Sequence, residues 1–182
     1  MYINNARYEH DKAKRLTNLN EAETLISNVL DLDRNSARAY INYAEVCFLR
    51  IRVILGLEYE KSLSSIDTLP NITDLNQNEI ESLLFRINEY LKNALYRNPK
   101  MPNPYYKMIQ LQSYRIFYYR IKSSDKKSKA ESEKKIENYI HEAEKWICSV
   151  STSIRSLTAY LWVCEEYYCL TDPDRAKVNI RN

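Results

Sequence analysis

A single glycine, Gly56, serves a chain of 182 residues. Folds built from tight hairpins need many backbone positions with positive φ, and glycine is the residue that supplies them cheaply. P-loops and dinucleotide fingerprints need several glycines within a few residues, so that the backbone can approach phosphate. One glycine leaves neither option open. With 45% hydrophobic and 28% charged residues, the chain has the composition of a packed globular protein, not a disordered one. The expectation is an all-α fold.

Periodicity supports it. Ala22, Leu25, Ile26, Val29 and Leu30 recur at three and four residues, the stripe of an amphipathic helix, with Asn18 and Glu21 as a capping pair at its start. The pattern resumes from about Ser36 to Glu60. Residues 61–75 read as a loop, rich in Ser, Asp, Pro and Asn. A second stripe runs through Ile80, Leu83, Leu84, Ile87, Leu91, Ala94 and Leu95 to Pro99. Asn103 and Pro104 look like a cap and a first helical residue, opening a helix to about Ile121. Residues 122–135 form a charged connection, partly helical or flexible. Further stripes pass through Ile136, Tyr139, Ile140, Ala143, Trp146 and Ile147, then through Leu157, Tyr160, Leu161 and Cys164. The count is seven or eight helices in one domain over 1–182. The last helix restarts at Asp172-Pro173 and stops early, as in a fragment ending inside a repeat. A closed bundle and an open stack of helix hairpins both fit this pattern.

The chemistry-bearing residues are sparse. His10 and His141 lie far apart, and Cys47, Cys148, Cys164 and Cys169 contain no CxxC, so no zinc spacing is present. Glu142, Glu144, Glu165 and Glu166 fall on helices, where solvated faces account for them. No cofactor, metal or reaction is expected. The longest apolar run, VCFLRIRVILGL, is broken by Arg50 and Arg52 and makes a poor membrane span. The first twenty residues lack a signal-peptide core. Reduced thiols without a secretory context point to a cytoplasmic protein.

The helix opening at Ala37 suggests more. With Tyr40, Tyr43, Ala44 and Cys47, and after the preceding Ala22, Ile26, Val29, Leu32 and Arg34, it resembles the tetratricopeptide repeat family. That family pairs a helix carrying an aromatic and a small residue with one carrying Ala and a terminal Pro. Arg34 stands where the family prefers Pro. Ala94, Pro99 and Tyr105 repeat the arrangement, and Ala143, Ile147, Tyr160, Val163, Cys164 and Tyr167 do so more loosely. Tyr40, Tyr105 and Tyr160 lie farther apart than the family's ~34-residue repeat, which implies longer helices or insertions.

The resemblance implies an α-solenoid that acts as a non-catalytic scaffold or adaptor. It would hold a partner peptide or helix in a groove lined by the first helices of its repeats. Family members that bind acidic chain ends do so with basic residues and Asn on those helices. By similarity those positions are Arg38, Asn42 and Lys107, with Arg7 in a loosely aligned first helix and Trp162 as an aromatic contact. Asn103 stands where such a clamp wants Lys. The implied partner is a protein with an acidic segment or chain terminus.

A second reading comes from the residues alone. Among 16 tyrosines, Tyr114, Tyr118 and Tyr119 cluster beside Arg115, Arg120 and Lys122, followed by a lysine-rich connection. Rings and cations together suit single-stranded RNA, with Tyr118, Tyr119, Arg120 and Lys122 as the contacts. A net charge of +3 does not by itself call for nucleic acid. Self-association through an open last helix is a third route.

Overall fold

A computed structural model describes residues 1–57, 63, 73–122 and 129–148. Among them are six helices and no strand: α1 (Tyr2–Tyr8), α2 (Lys12–Leu32), α3 (Ala37–Ile54), α4 (Asp74–Arg97), α5 (Pro102–Lys122) and α6 (Lys129–Cys148). The stripes expected beyond residue 148, with Trp162, Cys164 and Cys169, lie outside the described residues. So does most of the loop expected over 61–75.

Capping explains where the helices begin. Asp11 accepts the Lys14 backbone N–H at 2.9 Å, Ser36 that of Ala39 at 3.4 Å, and Thr73 that of Asn76 at 3.4 Å. Each satisfies a donor that the first turn cannot pair internally. The α2 helix therefore starts well before the Asn18–Glu21 pair, which lies inside it. Similarly, α5 opens at Pro102 rather than Pro104; a proline on the first turn loses no bond the helix would have made. The α6 helix begins at Lys129, inside the stretch read from sequence as a connection.

The one glycine sits where the α3 helix must stop. Gly56 has φ of 67°, and the chain closes with Leu57 N–H on the Arg52 carbonyl (2.8 Å) and Gly56 N–H on the Val53 carbonyl (3.2 Å). This pair of reversed bonds is the Schellman motif. It ends α3 short of the Glu60 that periodicity suggests.

The chain divides into two compact units, Met1–Lys61 with Ile72–Pro104, and Ser62–Asn71 with Tyr105–Asn182. In the first unit α1 packs on α2, α2 on α3, and α3 most extensively on α4, with a lighter contact from α1 to α3. The α3 helix is the axis of the unit. Its buried residues run from Ala37 through Tyr43, Ala44, Val46, Cys47, Phe48 and Leu49 to Val53, and circle the helix. An apolar surface on all sides is what a helix needs when neighbours cover it on both flanks. One flank meets Leu19, Ala22 and Ile26 of α2 with Ala6 of α1. On the other, Ala37 and Ile41 pack with Ala94 of α4. At the turn between α2 and α3, Arg97 donates to the Arg34 carbonyl (2.8 Å) and lies 4.4 Å from the Tyr40 ring centre. In the second unit Ile109 and Ile116 of α5 pack with Ile136 and Ala143 of α6, flanked by Tyr106, Tyr119, Tyr139 and Trp146.

Candidate functional site

The first unit carries a groove of about 330 Å³ walled by its first three helices. Its floor comes from α2, where Ala22, Leu25, Ile26 and Val29 follow one another at helical spacing. Met1, Tyr2 and Ile3 close one side. Ser36, Arg38, Ala39 and Asn42, from the cap and first turns of α3, form the other. Ala22 and Ile26 face the core at 3% and 6% exposure, whereas Leu25 and Val29 are left at 49% and 45%. Leu25 and Val29 thus form an apolar ridge that the described residues leave half open.

The wall has a different character. Arg38 is exposed and Asn42 half-buried, four residues and one turn apart on α3. Among the described residues neither side chain has a hydrogen-bond or ion-pair partner. Among the described residues no carboxylate lines the groove. A guanidinium, an amide and the Ser36 hydroxyl over an apolar floor give a site with a fixed positive charge and hydrogen-bond donors, poised for an anionic group flanked by apolar ones.

The other residues singled out from sequence fall elsewhere. Lys107 belongs to the second unit, at 8% exposure, with its Nζ 6.0 Å from the Tyr106 ring centre; the groove is built without it. Arg7 is on α1, where it binds Glu45 of α3 at 2.7 Å. Trp162 lies outside the described residues. Of the RNA candidates, Tyr118 is buried at 3% exposure, with Lys122 Nζ 5.8 Å from its ring centre. Tyr119 meets Tyr118 edge-on at 5.3 Å and Tyr139 at 5.8 Å, and Lys135 Nζ sits 5.0 Å from its ring. Arg120 stands 6.0 Å from the Phe117 ring. These rings and cations are already in contact with one another within the second unit. Burial, with Tyr119 alongside, pushes the Tyr139 hydroxyl up to about 12.

A second depression, on the same unit, is polar. Asn20, Glu23, Thr24, Ser27 and Asn28 of α2 line it with Tyr43 of α3. Beside it Glu23 accepts from Arg50 of α3 and Arg86 of α4, both at 2.7 Å. Arg50 also binds Asn20 at 2.7 Å, and Arg86 reaches the Tyr90 hydroxyl at 3.2 Å. Tyr90 stacks on Tyr43 with ring centres 4.8 Å apart. Burial opposes charge on Glu23, but the hydrogen bonds and charges of Arg86 and Arg50 outweigh it and hold the carboxyl below its usual range. Nearby, burial pushes the Cys47 thiol up to about 11, which leaves it protonated and unreactive at neutral pH. Among the described residues no group of three His, Cys, Asp or Glu side chains is placed to hold a metal, and no helix is long and apolar enough to cross a membrane.

Tyr2, Ile3, Leu25 and Val29 as groove residues were not singled out from sequence. The α2 pattern held a clue. Ala22–Ile26 and Leu25–Val29 are two parallel ridges, and together they make a broader apolar arc than a single contact uses. No protein-family model, curated protein or solved structure matches the chain.

Proposed function

We propose that the chain is an intracellular, non-catalytic interaction module, a scaffold or adaptor that takes an acidic segment of a protein partner into the α1–α2–α3 groove. The observation that carries this reading is the juxtaposition of Arg38 and Asn42, without partners among the described residues, with the half-exposed Leu25 and Val29. Burying the apolar ridge supplies most of the driving force. A charge-assisted bond from Arg38 to a carboxylate fixes orientation and rejects basic segments.

The helical-repeat reading belongs to the same proposal. Consecutive helices α1–α2 and α3–α4 pack as pairs, and both α1 and α2 touch α3, the neighbour-to-neighbour pattern of stacked hairpins. Small Ala44, with no exposure, sits where the tetratricopeptide-like pattern asks for close approach. A solenoid would present first-helix residues such as Arg38 and Asn42 along one surface.

Selection from a random peptide library displayed with free carboxyl termini tests the reading. Acid-bearing, apolar sequences should be enriched, and Arg38→Ala should weaken a selected peptide by about tenfold or more, since hydrogen bonds to charged groups contribute ~1.5–3 kcal/mol. Enrichment indifferent to acid, or binding untouched by Arg38→Ala, contradicts it. The RNA reading receives no comparable support, because Tyr118 is buried and Tyr119 is engaged with its neighbours.

A further inference from the structure

The two flanks of α3 are held differently. Toward α4, the contact is apolar at Ala37, Ile41 and Ala94. Toward α1–α2, Ala6, Leu19, Ala22 and Ile26 pack with Ala39, Tyr43, Val46, Leu49 and Val53, and charged ties also bridge the seam. Glu23 of α2 binds Arg50 and Arg86 at 2.7 Å each, and Glu45 of α3 binds Arg7 of α1 at 2.7 Å. Arg15 of α2 donates to the Ala6 carbonyl (2.9 Å) within its own hairpin and to the Leu57 carbonyl (3.1 Å) beyond the end of α3. Glu23 and Arg86 keep 28% and 38% of their side-chain surface open, so water reaches this part of the seam.

We propose that α1–α2 is a hinged lid, latched to α3–α4 through Glu23 and Glu45, which undocks as one piece while α3–α4 stays folded. The groove joins Leu25 and Val29 of α2 to Arg38 and Asn42 of α3, so undocking parts its two halves and releases what it holds; this use of the lid rests on the interaction reading above. The hinge is the turn at Asp33–Ser36, where the backbone is tied by Ser36 N–H to the Asp33 carbonyl at 3.2 Å and by Arg97 on the Arg34 carbonyl. Those contacts lie apart from the latch and persist when it opens. Local opening in contiguous units is the ordinary behaviour of helices that bury less apolar surface than their neighbours.

The groups facing Glu23 are Arg50, Tyr43 and Cys47 on α3 and Arg86 and Tyr90 on α4. The latch therefore needs Glu23 ionised, and Glu23→Gln removes its charge without changing its size. Amide hydrogen exchange on the full chain at neutral pH reads the outcome. In Glu23→Gln, exchange across residues 12–32 should rise about tenfold or more, with Glu23→Asp intermediate, and residues 12–32 should still open more readily than residues 37–54 and 74–97. Wild-type protein in low denaturant gives a measurement that needs no variant: residues 12–32 should exchange through an opening at least about tenfold more populated than that of residues 37–54. No rise across residues 12–32 in Glu23→Gln, or identical protection of α2 and α3 in the wild type, overturns the lid. Arg38→Ala should leave all these exchange rates alone, so failure of the lid and failure of the groove are separately visible.

Discussion

The α2 and α3 helices are adjacent and of similar length, yet they do opposite things with their apolar residues. The α3 helix buries them on every side, from Ala37 to Val53. The α2 helix buries one ridge, Leu19, Ala22 and Ile26, and leaves Leu25, Val29 and Leu32 at 49%, 45% and 90% exposure. A helix covered on every side is fixed by its core. One that its neighbours α1 and α3 cover only in part keeps an open face, and Leu25 and Val29 on that face line the groove. Charge follows the same division. Arg50 near the end of α3 is committed to Glu23 and Asn20, whereas Arg38 at its start has no partner among the described residues.

Substitutions can break this contrast at several levels. The largest effect belongs to the axis: Phe48→Ala, at a residue 2% exposed, should cost about 3–5 kcal/mol in chemical denaturation. A loss below about 1 kcal/mol would mean that α3 is not the core. Next comes the latch. Glu23→Gln should cost roughly 1–2 kcal/mol, allowing for solvent screening of a partly open pair. Because the Glu23 carboxyl lies below its usual range when folded, its contribution is complete above the unfolded-state value near ~4.3. It is lost as pH falls through the lower folded value. Glu23→Gln should accordingly flatten part of the acid-side decline in stability, measured by denaturation between neutral pH and strong acid. An unchanged slope would place Glu23 outside the balance.

Gly56→Ala should cost about 1 kcal/mol. Nothing stands within 4 Å of where its Cβ would lie, so the cost is the left-handed backbone rather than a clash. The smallest effect on stability is expected at the groove. Leu25→Ser and Val29→Ser together should change the unfolding midpoint little, each within about 0.5 kcal/mol, while abolishing capture of peptides selected on the wild type. A large loss of stability there would assign the ridge to the core and erase the contrast.

Much of this architecture was legible in the residues, and the exceptions have physical causes. The stripes of α2, α3 and α4 were visible because burial on a helix has a period, and the single glycine excluded most alternatives. Their ends were not, because caps compete locally. Asp11 starts α2 ahead of the Asn18–Glu21 pair, and Gly56 ends α3 before Glu60. Arg38 and Asn42 were put together by the tetratricopeptide resemblance, and their spacing of four lets them share a wall. That Leu25 and Val29 stay open across from them depends on which ridge of α2 meets α3, and sequence periodicity does not choose between adjacent ridges. The Glu23–Arg50–Arg86 cluster joins residues distant in sequence, and charge on a helix most often marks a solvated face, so nothing local flags it.

The most direct test of the central claim is an NMR titration of the isotopically labelled full chain with a peptide selected from the displayed library. Binding in the groove predicts shifts concentrated at Tyr2, Leu25, Val29, Arg38 and Asn42, and their loss when the peptide's carboxylates are replaced by amides. Shifts confined to α5 and α6, or a response indifferent to those carboxylates, would contradict it.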